Sequence, residues 1–198
     1  VNTRLNNLLT NENTMEDLFT IKDFPVSLSC VNPDLNHNKK LDMKFQICNK
    51  TGIIQIRDAP CLDDIYIESH NTSYGKVWHD LFEIFSNKVN DLVNKFKLFN
   101  ILEVGGGALL LASMILKNKE IKNYTSFEKN IVFSHTNDER VIIKDKYFLN
   151  DTIVDEKFDL YIHSHVLEHV WNPVEFLESI SRNISVGSYH CFIVPNLK

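Results

Sequence analysis

Three consecutive glycines follow an apolar run in Ile101-Leu102-Glu103-Val104-Gly105-Gly106-Gly107-Ala108. A turn of this kind lets backbone approach a ligand closely, because no side chain intervenes and positive φ is accessible to glycine. The helix predicted to follow presents free N–H groups suited to a carboxylate or phosphate. Glu128 closes the next predicted strand, where an acidic side chain can accept hydrogen bonds from both hydroxyls of a ribose. A solvated strand end is the competing reading of Glu128. The dinucleotide pattern G-x-G-x-x-G would need its third glycine at position 110, which is Leu110, so hydride-transfer enzymes are not favoured.

A second group of reactive residues is His163, His165 and His169. They surround the carboxyl end of another predicted strand, the edge at which α/β sheets bind ligands. An imidazole with an ordinary pKa of about 6.5 can take a proton from a hydroxyl near neutral pH. Strand alternation would point His163 and His165 to one side, with the strand expected to end between them. His165 is the first choice for contact with a cofactor or acceptor and His169 the second. The competing reading of His169 is that it caps and packs the loop together with Glu168.

The elements that must hold these residues are legible in the hydrophobic period. Val77, Trp78, Leu81, Phe82, Phe85, Val89, Leu92, Val93 and Phe96 recur at helical steps over Lys76–Phe96, which predicts a long amphipathic helix with a packing stripe. Strands are predicted at Asn100–Val104, Tyr124–Glu128, Val141–Ile143, Asp159–His163 and Tyr189–Val194. Helices are predicted from Ala108 to about Lys117 and over Pro173–Ile184, the latter starting at an Asn172 cap followed by an N1 proline. Strands alternating with helices imply right-handed crossovers and a mostly parallel sheet in an α/β fold. Upstream, Met15–Phe19 reads as locally helical, and Lys44–Ile47 and Ile53–Ile56 read as strands across a Gly52 turn. The expected division is a β-rich and helical N-terminal extension over 1–75 and an α/β core over 76–198.

Bulk properties narrow the function. A chain of 198 residues with 43% hydrophobic residues can bury a core. A formal net charge of -5, with Lys and Arg scattered, gives no basic field for nucleic acid. No apolar run approaches the ~20 residues that span a bilayer, and no secretory signal opens the chain. The expectation is a cytoplasmic protein with neither nucleic acid nor membrane as partner. The chain begins at Val1, so the numbering can start inside a longer protein. Cys30, Cys48, Cys61 and Cys191 form no C-x-x-C pair and are expected as free thiols.

Glu103-Val-Gly-Gly-Gly resembles the first motif of class I S-adenosylmethionine-dependent methyltransferases, E/D-x-G-x-G-x-G. Phe158-Asp159-Leu160-Tyr161-Ile162, followed by Ser164-His165-Val166-Leu167-Glu168-His169-Val170, resembles their fourth, and the likeness runs through Asn172-Pro173 and Phe176-Leu177 to Val194-Pro195-Asn196. The resemblance implies a Rossmann-like fold binding S-adenosylmethionine, with S-adenosylhomocysteine (SAH) as product. It implies that Glu103, Gly105 and Gly107 line the methionine end, that Glu128 binds the ribose, and that Ser164 and His165 sit beside the cofactor. Asp145, after the third strand, is the candidate on the adenine side. Leu109 stands where a third glycine is common.

Phe24-Pro25-Val26-Ser27-Leu28 and Cys48-Asn49-Lys50-Thr51-Gly52-Ile53-Ile54-Gln55 resemble the N-terminal part of sugar methyltransferases acting on nucleotide-linked deoxysugars. That group holds zinc through paired cysteines. Thr51 replaces the second cysteine here, so no metal is expected. In that group the stretch before the long helix folds over the cofactor as a lid, which makes Tyr74 a candidate cofactor contact and His70 a candidate catalytic residue. A plain capping loop is the competing reading.

The activity implied is O-methylation of a saccharide, a nucleotide-linked sugar destined for a surface polysaccharide such as a capsule. C- or N-methylation of another small molecule, or a non-catalytic cofactor-binding subunit, are the alternatives. The family usually continues into two more strands, whereas this sequence stops at Lys198 directly after the fifth, so the core is expected to lack them and its fifth strand to be a sheet edge.

Overall fold

The computed structural model describes residues 1–26, 39–65, 75–129, 131 and 133–196. Cys30, His70 and Tyr74 lie outside the described residues. The chain divides into two compact units, Val1–His70 and Asn71–Lys198.

In the first unit β2 (Met15–Pro25) pairs antiparallel with β3 (Lys40–Cys48), which pairs antiparallel with β4 (Ile54–Ile56). A separate two-stranded sheet joins β1 (Asn2–Thr3) to β5 (Asp58–Ala59), and a short helix, α1, spans Leu62–Ile65. The helix expected at Met15–Phe19 is therefore a strand. Five residues cannot offset the cost of nucleating an isolated helix. Extended, they pair with β3, and the Phe19 ring stacks on Phe45 at 4.6 Å.

The turn between β3 and β4 is closed by Gly52, whose φ of 73° is left-handed. It is organised around Cys48, which is 0% exposed. The Thr51 amide donates to its Sγ at 3.4 Å, and Thr14 Oγ1 lies 3.1 Å from it. These donors hold the Cys48 thiol down at about 6.

The second unit opens with α2 (Lys76–Phe96), as the stripe predicts, and its Phe82, Phe85, Val89 and Val93 are buried. Five parallel strands follow: β6 (Asn100–Val104), β7 (Asn123–Phe127), β8 (Val141–Lys144), β9 (Leu160–Ser164) and β10 (Tyr189–Ile193). Their order is β10-β9-β6-β7-β8, and all four pairings are parallel. Chain order reverses beside β6, so the carboxyl ends of β6 and β9 flank a topological switch point, where open α/β sheets bind ligands. β10 forms one edge of this sheet.

Alternation sends Ile101, Tyr124, Leu160 and Ile162 into a core shared with α2 and with α3 (Leu110–Ile115). The opposite face carries Leu102, Val104, Phe127 and Tyr161, covered by Phe176 and Ile180 of α4 (Pro173–Asn183). Asn172 caps α4 by accepting from the Glu175 amide at 3.5 Å, ahead of the N1 proline. At the amino end of the sheet, Asp159 accepts from the Phe99 and Asn100 amides at 2.8 and 2.9 Å, tying β6 to β9.

The helix expected from Ala108 to about Lys117 is shorter at both ends. Leu109 adopts φ 62° and so cannot belong to a right-handed helix, while Lys117 turns back to the Met114 carbonyl. Past that point Arg140 takes over, donating to the Leu116, Asn118 and Ile121 carbonyls and to Asp138. Among the described residues no helix is long and apolar enough to cross a membrane.

Candidate functional site

The glycine loop leaves β6 at the switch point. Gly105 (φ 73°) and Gly107 (φ 54°) are both left-handed, a conformation that disfavours any residue with a Cβ. Leu109, at the position where the family motif commonly has glycine, is left-handed too and wholly buried. Its side chain packs in the core, and that packing offsets a backbone cost of about 1–2 kcal/mol.

The middle glycine was not among the expected ligand contacts, yet it is closely confined. A Cβ on Gly106 would lie 2.3 Å from Ser126 Oγ and 2.6 Å from Glu103 Oε2. On Gly105 it would lie 2.5 Å from Val166 Cγ2, in the loop after β9. The two loops that flank the crevice therefore touch through glycine.

Two carboxyls support the loop from different sides. Glu128, one residue past β7, accepts from the Gly107 amide through Oε2 at 2.7 Å. Burial raises its pKa, against the opposing effect of the Gly107 and Lys129 amides. A carboxylate has about four lone-pair positions, so Glu128 keeps acceptor capacity for hydroxyl donors. Glu103 is buried beneath the loop, 3.5 Å from Ser126 Oγ. Burial pushes its carboxyl up to about 7, with the Glu128 charge adding to the rise and the neighbouring Tyr124 and Ser126 hydroxyls opposing it.

Across the crevice, Ser164 ends β9 and its Oγ lies 2.9 Å from His165 Nδ1. His165 adopts φ 54°, while its amide donates to the Ile193 carbonyl at 3.1 Å. A non-glycine residue held in this region is a strained position of the kind that clusters at functional sites. The imidazole is half-buried, and Trp78 meets it edge-on at 4.7 Å. Burial lowers the His165 pKa, opposed by the Glu168 carboxylate and assisted by His169.

The remaining candidates are dispersed. His169 is exposed in a short 3-10 turn, Leu167–His169. Asp145 is exposed directly after β8. His163 is 0% exposed and points to the α4 face, stacked on Phe192 at 4.8 Å, with neither ring nitrogen hydrogen-bonded. Burial drives it down to about 3, with the nearby His190 contributing, so it is a neutral core residue. The change of hand at His165 separates the two histidines that simple alternation would have aligned.

The structure thus brings Gly105, Gly107, Glu128, Ser164 and His165 to one end of the sheet. Gly106, Ser126 and Trp78 were missed. The register pairs Glu103 with Ser126, so strand parity could have found the serine. Trp78 was indistinguishable from the rest of the helix stripe.

No protein-family model matches the sequence, and no curated protein matches it. Solved structures do match. The plantazolicin methyltransferase BpumL, in complex with a pentazolic desmethylPZN analog and SAH, aligns at 17% identity and a TM-score of 0.53 over 61% of this chain and 49% of that one. Its complex with a monoazolic analog and SAH aligns at 17% identity and a TM-score of 0.50, over 58% and 46%. The chain spans about half the length of these matched structures. The likeness shows a common fold, the Rossmann-like sheet of class I methyltransferases.

Proposed function

We propose that this chain is an S-adenosylmethionine-dependent methyltransferase whose cofactor lies in the crevice between the β6 and β9 loops. The observation that carries this reading is the glycine loop at the switch point, with Glu128 already bound to the Gly107 amide. The fold it shares with methyltransferases supports it. Gly105 and Gly107 give backbone access to the methionine end, Glu128 accepts from the ribose hydroxyls, Ser164 and His165 form the facing wall, and Asp145 stands toward the adenine. The cofactor supplies a methyl group on a good leaving group, so orientation provides much of the acceleration.

The acceptor is a hydroxyl of a small molecule, and a nucleotide-linked sugar is the reading that the N-terminal resemblance supports. His165 is the base. Its depressed pKa keeps the imidazole neutral at pH 7 and able to take the hydroxyl proton. His169, His70 and Tyr74 stand as secondary candidates. The extension over 1–75 and the core over 76–198 are the corresponding functional parts.

Calorimetric titration with SAH tests the reading. Micromolar binding is expected, and Glu128→Ala should weaken it tenfold or more, because each charge-assisted hydrogen bond lost costs about 1.5–3 kcal/mol. A folded native protein that does not bind SAH would sink the proposal.

A further inference from the structure

Trp78 stands near the start of the apolar stripe of α2, but it is not a core residue. Phe82, Phe85, Val89 and Val93 are buried under the sheet, whereas Trp78 is 40% exposed. Its indole meets Phe82 at 5.8 Å on one side and the His165 ring at 4.7 Å, edge-on at 74°, on the other. His165 itself is pinned at three points: the left-handed backbone, the amide bond to the Ile193 carbonyl, and the Ser164 Oγ contact at Nδ1. These fix where the imidazole begins and leave rotation of the ring to the Ser164 contact and to whatever borders its plane. Trp78 borders it.

We propose that Trp78 is a positioning residue for His165, holding the imidazole between indole and Ser164 so that Nε2 stays directed at the acceptor. This rests on the methyltransferase reading of the crevice. Ser164 and Trp78 act together: when Nδ1–H donates to Ser164 Oγ, Nε2 carries the free lone pair that a base needs. The indole also keeps water from one side of the ring. The face of an indole attracts an imidazolium and its edge does not, whereas loss of hydration disfavours the imidazolium. Since burial is the leading influence on His165, the second effect prevails. The charged groups acting on the ring are Glu168 and His169, from the turn after β9, and Trp78 brings no charge from α2.

An excited indole is quenched by an adjacent imidazolium and much less by neutral imidazole, so the pair reports on itself. The chain has two tryptophans, and Trp171→Phe leaves Trp78 as sole emitter. In that protein, indole emission should rise through one sigmoid as pH increases, with its midpoint below the ordinary histidine range. His165→Gln should abolish the sigmoid. The His165 ring proton resonances, followed by NMR, should titrate at the same midpoint. That midpoint should move upward, toward 6.5, in Trp78→Ala and stay low in Trp78→Phe, which still covers the ring.

Persistence of the sigmoid in His165→Gln, or an unchanged midpoint in Trp78→Ala, would overturn the pairing. SAH titration of the same proteins separates the two levels. Absence of SAH binding with the sigmoid intact overturns the cofactor reading and with it the purpose of the pair. Loss of the sigmoid with SAH binding intact overturns the pair alone.

Discussion

Glu103→Gln should make the second unit more stable at neutral pH while leaving it nearly unchanged in acid. Burial raises the Glu103 carboxyl from 4.5 to about 7, so the folded chain keeps a proton that the unfolded chain releases. Below pH 4.5 both states are protonated and the group has no effect. As pH rises from 4.5 to about 7, the unfolded state loses the proton first and folding stability declines. At about 1.4 kcal/mol for each pKa unit, the decline reaches about 3 kcal/mol and is complete above pH 7. Glutamine imitates the protonated carboxyl, so the variant escapes this decline. Other titrating groups are common to both proteins and cancel in the comparison. Urea denaturation between about pH 5 and about pH 8, followed by tryptophan emission, reads the second unit, because Trp78 and Trp171 both lie there. With a slope of about 2 kcal/mol per molar urea, the variant's midpoint should pull ahead by roughly 1.5 M over that range. Parallel curves would show that Glu103 is ionised when folded and that its burial is relieved in some other way.

His163 should act in the opposite sense. Its pKa falls from 6.5 to about 3 on folding, so its contribution is full above pH 6.5 and is lost as pH falls toward 3. His163→Phe should flatten the acid limb of the stability profile, because a phenyl ring can stack on Phe192 without two unpaired nitrogens; an unchanged limb in acid denaturation would refute this. Gly106→Ala should destabilise the unit by about 1–3 kcal/mol through overpacking and abolish SAH binding, because its Cβ would run into Ser126, Glu103 and the buried Leu109. Thermal unfolding with calorimetry checks both, and retention of native affinity would mean that the loop is not a tight cradle.

Long-range features were legible where period and chemistry agreed. The α2 stripe, the β6 strand with its glycines and the Asn172-Pro173 start of α4 each follow from local pattern, and the structure has them. What sequence could not supply were consequences of hand and register. Leu109 and His165 are ordinary L residues, and nothing local predicts their positive φ; tertiary packing imposes it. That one backbone choice shortens α3 and swings His165 away from His163. Met15–Phe19 went wrong for a related reason, since a short segment with mixed period takes its conformation from the partner strand. Glu103, which the motif assigns to the methionine end, is buried under the loop, a depth set by register, because odd positions of β6 face α2 and α3.

Cys48 combines a thiol held down at about 6 with zero exposure. An alkylating reagent cannot touch it until the turn around Thr14 and Thr51 comes apart, and that opening also removes the donors that hold the thiol down. Its labelling rate is therefore a stopwatch for local opening. Cys61, exposed in the same unit, reacts without waiting and supplies the reference rate from within the same molecule. Time-resolved alkylation read by mass spectrometry would thus give the opening equilibrium of the N-terminal hairpin without a denaturant or an added probe.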